Sequence, residues 1–375
     1  MKKVVIAIDS FKGCLPSAEA GKAAAEGIRS VYPECEVICL PIADGGEGML
    51  DVLIMATNGQ EVPISAHDPL MRWRNTYYGI SENGETAFIE MASISGLPLV
   101  PPERRNPMLT TTYGTGEIIR DALERGCRNF IIGIGGSATN DAGLGMLQAL
   151  GFRFSDKEGK EVGTGRGEVL IKVAHIDSTC VHPALNSCRF TVACDVQNPF
   201  YGPEGAAYVF APQKGADREM VEAFDAGLQN FAEVIRHTTG KDISHHPGAG
   251  AAGGMGGSLL AFLNAELKPG IQLMLEALDF SNKIKSADLI ITGEGKADRQ
   301  TLMGKVPSGI LAEARKQNIP VILLAGNIED SDELQQAGFE GVFSVNPPFI
   351  SLEEAMRPEV ARKNIQQTVE SICKK

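Results

Sequence analysis

Apolar residues in this chain come in short bursts. "VVIAI" at 4–8, "EVICLPI" at 36–42, "TAFIEM" at 86–91, "FIIGI" at 130–134, "RFTVAC" at 189–194, "DLIITG" at 288–293, "PVILLAG" at 320–326 and "GVFSV" at 341–345 are rich in β-branched and aliphatic side chains. Continuous runs of this length predict parallel strands buried on both faces. Between them the period lengthens. After Ser17, positions Ala20, Ala23, Ala24, Gly27, Ile28 and Val31 form one helical stripe. After Asp217, a residue suited to capping a helix, Met220, Val221, Phe224, Leu228, Phe231, Ala232 and Ile235 form another. Ile118, Ile119, Ala122 and Leu123 lead to Gly126, a helix stop. Such alternation predicts an α/β architecture. "WRNTYYGISENGETAFIEM" alternates about "ENGE" instead and predicts a hairpin.

The two ends of the chain read as clean βα units, whereas 155–187 is polar, Gly-rich and weakly periodic. This predicts a doubly wound parallel-sheet domain made from 1–65 plus 286–375, interrupted by a second α/β domain over 66–285.

Composition narrows the chemistry. With 43% apolar and 22% charged residues, the chain is an ordinary globular one. A net charge of −12 without a basic stripe argues against nucleic acid as a partner. Anionic small molecules stay admissible where lysines, Mg²⁺ or backbone N–H groups meet them. The eight cysteines include no Cys-x-x-Cys pair and read as reduced thiols rather than a zinc site or disulfide framework. "MKKVVIAIDSFKG" is too short in its apolar part for a leader, and no run of about 18 apolar residues occurs, so no membrane partner and a cytoplasmic location are expected.

Glycines and acids gather just after the strand-like runs. "GIGGSATNDAGLGMLQALG" is a strand, a loop and a helix with Leu144, Leu147 and Leu150 facing inward. Gly135 and Gly136 let backbone N–H groups approach an anion, and Ser137, Thr139 and Asn140 add donors. Asp141 can cap the helix or hold Mg²⁺. "HHPGAGAAGGMGG" contributes Gly250, Gly253 and Gly254 to a second phosphate-type loop. Its match to G-x-G-x-x-G follows a polar stretch rather than a strand, so a dinucleotide site fails its context, and an NAD(P)-dependent oxidoreductase is the weaker alternative. Asp9, Ser10 and Lys12 close the first run. Asp44 and Glu47 stand in "ADGGEG", Asp195 and Asn198 in "CDVQNP", and Glu294 and Asp298, with Lys305 beyond, in "ITGEGKADRQTLMGK". Acids at several strand ends point to one charged crevice.

Phosphoryl transfer needs this combination: Mg²⁺, phosphate donors and an acid that orients the nucleophile. The Walker A and protein-kinase signatures are absent, as is the Gly-x-Ser-x-Gly elbow of hydrolases. Apart from the adjacent His245 and His246, the six histidines show no metal-ligand spacing. A metabolite sensor is a further alternative class, but no DNA-binding helix pair with a basic face is visible.

Together "AIDSFKGCLPSAEA", "ADGGEG", "GIGGSATNDAGLGMLQALG", "CDVQNP", "PQKGA", "PGAGAAGGMGG" and "ADLIITGEGKADRQTLMGKVP" resemble the bacterial glycerate kinase family of class I, the glycerate 2-kinase type. The likeness spans essentially the whole chain, departing at Cys14, where Ser is expected, and at Met49, where Thr is commoner. It implies ATP- and Mg²⁺-dependent phosphorylation of glycerate, with 2-phosphoglycerate favoured over 3-phosphoglycerate. It also implies that the discontinuous domain is flavodoxin-like. Residue roles follow from chemistry. Asp195 orients the attacking hydroxyl, with Lys12 and Asp44 beside it in catalysis. Ser10, Glu47 and Lys214 bind substrate, and for its carboxylate Lys12 and Lys214 are candidates, as is Arg72 or Arg104. Glu294 and Asp298 hold the metal.

Overall fold

The computed structural model describes residues 1–46 and 48–374. Its strands are, in chain order, β1 (Lys3–Ile8), β2 (Glu36–Cys39), β3 (Gln60–His67), β4 (Trp73–Ile80), β5 (Thr86–Glu90), β6 (Asn129–Gly133), β7 (Arg153–Ser155), β8 (His175–Asp177), β9 (Arg189–Ala193), β10 (Glu266–Lys268), β11 (Leu289–Ala297), β12 (Val321–Ile328) and β13 (Gly341–Ser344). All eight apolar runs form strands. The chain divides into two compact units, Met1–Asp44 with Ile271–Lys375, and Gly45–Gly270.

In the terminal unit five parallel strands lie in the order β13-β12-β11-β1-β2. Numbered within the unit this is 2-1-3-4-5, the flavodoxin-like order. Ile6, Ile8, Ile291 and Leu324 are buried in its core. Helices Ser17–Val31 and Pro358–Cys373 pack together, burying Ala20, Ala24 and Ile28 with Ala361, Ile365 and Val369. A side chain at Gly27 would meet the Gln366 carbonyl at 2.5 Å, so the close approach of these helices requires glycine there.

In the inserted unit a six-stranded mixed sheet runs β10-β9-β6-β5-β4-β3, and a separate ribbon pairs β7 with β8. β3, β4 and β5 are antiparallel neighbours, with the "ENGE" turn between the last two, while β5, β6, β9 and β10 are parallel. Phe130 and Phe190 stack across β6 and β9 at 4.7 Å between ring centres. The 22-residue helix Arg218–Thr239 begins at Asp217, whose carboxylate accepts the Met220 N–H.

The units part at Asp44/Gly45 and Gly270/Ile271, whereas the pattern placed the cuts after 65 and before 286. Two contacts explain the difference. β3 completes the six-stranded sheet and takes 45–65 with it. Ile271 packs so tightly on helix Val306–Arg315 that a side chain at Gly309 would lie 2.3 Å from it, which draws 271–285 into the terminal unit. β3 and β10 escaped the pattern because both are edge strands. "QEVPISAH" carries Pro63, which an edge tolerates, and "ELK" has only three residues.

Candidate active site

Within the inserted unit, loops at the carboxyl ends of β6 and β9 meet. A side chain on Gly45 would lie 2.5 Å from the Gly270 Cα and 3.0 Å from the Ala193 Cβ. Gly135 in turn faces the Gly46 Cα at 3.9 Å. Gly45 and Gly46 and the "GIGGS" and "CDV" segments, far apart in sequence, thus share one neighbourhood. Glu47 lies outside the described residues. Asp195 is exposed just past β9, and its Oδ1 accepts the Gly270 N–H at 2.8 Å. Asn198 donates to the Glu204 carbonyl and shapes the turn that follows.

Behind these loops sits a buried polar nest. Lys214, at the end of a short 3-10 turn, is 3% exposed. Its Nζ donates to Ser137 Oγ at 2.8 Å and to the Thr139 carbonyl at 2.6 Å. Burial pushes the ammonium down to about 7 from its usual 10.5, and the Asp141 charge only partly offsets this. The next residue, Gly215, has φ 100°, and a side chain there would strike the Arg105 carbonyl at 2.3 Å. That is the reason for Gly in "PQKG". Asn140 is fully buried, yet both its Oδ1 and its Nδ2 lack hydrogen-bond partners, as does Thr139 Oγ1. Buried amides are rarely left so, and these groups are suited to a ligand. Gly135 and Gly136 stand exposed at the turn before them, the latter at φ 73°.

Asp141 takes the capping option. Its carboxylate accepts from Thr112 N and Oγ1 at 2.8 Å and from Gly143 N and Gly145 N at 3.2 Å. Gly250, Gly253 and Gly254 are explained by packing. Side chains there would meet the Pro199 carbonyl at 2.2 Å, the Thr139 carbonyl at 2.2 Å and Phe200 at 3.0 Å. The second glycine loop therefore presses on Thr139 and Asn140 of the first, a meeting the sequence did not reveal.

The terminal unit carries a second cluster. Asp9 follows β1, is 6% exposed, and accepts the Ser10 N–H at 2.6 Å. Burial, then the charge of Asp44, raises its carboxyl to about 7; Glu294 adds to the rise, while the Ser10 N–H and Lys12 oppose it. Lys12 Nζ lies 3.7 Å from Asp44. Glu294, in β11, is 7% exposed; Lys305 Nζ faces its Oε2 at 3.4 Å, while Oε1 is buried without a hydrogen-bond partner. Burial pushes this carboxyl up as well. Asp298 has local employment: it caps a 3-10 turn through the Gln300 N–H and lies 3.5 Å from Lys296. Arg72 is bound to Asp68. Burial and Glu359 push the Cys14 thiol up, away from reactivity.

In the sequence Asp9 is one strand-end acid among several and Lys305 a lysine beyond Glu294. Asp9 is brought to Asp44 and Glu294 because β1 lies between β2 and β11, which no local pattern states, and Lys305 reaches Glu294 across the turn after β11.

These features define an α/β protein with clustered acids, a buried lysine and glycine-rich loops at strand ends. A family model described as "Glycerate kinase family" matches residues 4–375. Glycerate kinase of Bacillus subtilis (strain 168) is 46% identical over 372 residues, covering 99% of this chain and 97% of that protein. Glycerate 2-kinase of Escherichia coli (strain K12) is 47% identical over 356 residues, 95% of this chain and 93% of that one. A solved structure from Salmonella typhimurium LT2, described as a candidate glycerate kinase 2, superposes with a TM-score of 0.91 at 44% identity, covering 100% of this chain and 97% of that chain. The chain belongs to the glycerate kinase family and is a kinase. Among the described residues no helix is long and apolar enough to cross a membrane.

Proposed function

We propose that the protein transfers the terminal phosphoryl group of ATP to D-glycerate, with Mg²⁺, and forms 2-phosphoglycerate. The observation that carries the reading is the buried nest of Lys214, Ser137, Thr139 and Asn140. It offers one cation and several unfilled donors at a depth that suits a small acid. The name of the Escherichia coli relative supports the 2-position.

The residues divide the work by chemistry. Lys214 and Ser137 hold the carboxylate, and burial makes the ammonium a strong partner for it. The open turn at Gly135 and Gly136 faces the transferring group with backbone N–H. Gly250, Gly253 and Gly254 hold Thr139 and Asn140 in place. Asp195 orients the attacking hydroxyl; a loose transition state needs little early proton removal, so positioning is its main task. Lys12 offsets phosphate charge, and Asp44 keeps Lys12 in reach. Ser10 completes the substrate contacts. Glu294 suits Mg²⁺, because its buried Oε1 lacks a partner, and Asp298 supports it from the same segment. A divalent cation held by Glu294 and Asp298 would supply neutralisation of the phosphate charge. One or two carboxylates would be enough to hold such a cation.

The test is direct. Purified protein given D-glycerate, ATP and Mg²⁺ releases ADP, and ³¹P NMR of the product shows 2-phosphoglycerate. ADP release with a different alcohol only would sink the substrate assignment, and a 3-phosphoglycerate signal would move the attack to the other hydroxyl.

A further inference from the structure

Among the described residues, Arg105, Arg166 and Arg362 each bury their Nε without a hydrogen-bond partner. Arg362 is neutralised by Glu19, whose Oε2 accepts from its Nη2 at 2.7 Å. Arg105 and Arg166 are half-buried, and neither meets a carboxylate among the described residues. The chain holds 47 acids against 35 lysines and arginines, so counter-charges are plentiful and their lack at these two sites is specific. A guanidinium stays charged at any working pH, and burying part of it without a counter-charge costs free energy. Such a group suits an anion that arrives from outside.

Of the two, Arg105 stands at the Lys214 nest. A Cβ on Gly215, the residue after Lys214, would lie 2.8 Å from the Arg105 Cβ as well as 2.3 Å from its carbonyl. Five residues on, Thr110 Oγ1 donates at 3.0 Å to the carbonyl of Ala138, the residue after Ser137. Between these ties Asn106 fixes the chain, its Oδ1 accepting the Met108 N–H at 3.0 Å and capping the 3-10 turn Pro107–Leu109. Segment 105–110 thus runs from one member of the Lys214–Ser137 hydrogen bond to the other. Arg72 and Arg104, the arginines that the sequence offered for a carboxylate, lack this setting. Arg72 is held by Asp68, and Arg104 is exposed. Nor does Lys214 suffice alone, because its ammonium titrates near 7 and is only partly charged there. A guanidinium adds a whole charge and a fork of N–H groups matched to two carboxylate oxygens.

We infer that Arg105 binds the carboxylate of the acceptor, a small hydroxy acid, beside Lys214 and Ser137. The assignment rests on the phosphoryl-transfer reading above, and it adds a binding residue that no motif of the sequence singled out.

Steady-state kinetics of the full chain with D-glycerate, ATP and Mg²⁺ test it. Arg105→Gln is expected to raise the KM for D-glycerate by about ten- to a hundredfold, the worth of one charge-assisted contact, with kcat within about threefold. Arg105→Lys keeps the charge without the fork, and its KM should fall between. Guanidinium ion, added to Arg105→Ala well below the concentrations that unfold the chain, should lower the raised KM, which a merely structural loss would not allow. Arg166→Gln removes the other half-buried guanidinium, whose neighbours Gly165 and Gly167 pack on Gly145 and Phe224, and should keep the parent KM. Unaltered KM in both Arg105→Gln and Arg105→Lys overturns the assignment of Arg105 alone. So does a fall in kcat in place of the rise in KM, an equal rise in Arg166→Gln, or no response to guanidinium. Absence of D-glycerate turnover by the parent chain overturns the phosphoryl-transfer reading together with it.

Discussion

Lys214 shows how much a single burial can set. Its amine titrates near 7 in the folded chain and near 10.5 when exposed. Between those values the unfolded chain binds a proton that the folded one lacks, so stability rises with pH across this window. Below about 7 both states are charged and the cost of burial is fully present. Asp141, the acid that acts on it, is already satisfied by Thr112, Gly143 and Gly145. Lys214→Met should therefore raise the melting temperature most at pH 6, with the gain shrinking toward pH 10, while turnover collapses. A melting series over pH checks this; a gain that does not change with pH would assign it to packing alone. Asp195 makes the opposite case. Asn at 195 keeps an oxygen for the Gly270 N–H, so Asp195→Asn should melt near the parent temperature. If the carboxylate orients or deprotonates the hydroxyl, kcat should fall by about 10²–10⁴-fold. A variant of normal turnover would make Asp195 a turn former.

At the scale of elements, the glycine loop at 248–254 acts as a backing plate. Gly253 has φ 67°, and its missing side chain makes room for the Thr139 carbonyl that also accepts from Lys214. Gly253→Ala should displace that carbonyl and cost more than about 1 kcal/mol, since both the conformation and the space are wrong for a side chain. Urea unfolding measures the loss, and the KM for glycerate should rise with it. Gly84 has open space around it, and an equal loss from Gly84→Ala would show that strain alone, not the Thr139 contact, is at work.

At the scale of the molecule, the inserted unit begins and ends in one place, because Gly45 and Gly270 abut. The terminal unit has its own five-stranded sheet and its own buried cluster. Joining Asp44 to Ile271 through a short Gly-Ser linker should thus leave a folded flavodoxin-like domain. Circular dichroism with a cooperative thermal transition is the expected result. A chain without such a transition would show that the terminal unit depends on the insertion.

Much of this was legible in the residues. The eight apolar runs, the helices after Ser17 and Asp217 and the hairpin at "ENGE" were visible because hydrophobic period and turn chemistry are local properties. The family motifs were visible because they are contiguous. The edge strands β3 and β10 were hidden, since an edge needs no apolar period, and with them the true limits of the two units. The site was legible as a set of residue types, not as an arrangement. That Asp9 faces Glu294, that Asn140 is buried without a partner, and that Lys214 titrates near neutrality all depend on which strands are neighbours and how much water they exclude. Strand order and desolvation are sums over residues distant in sequence, and only the folded chain performs them.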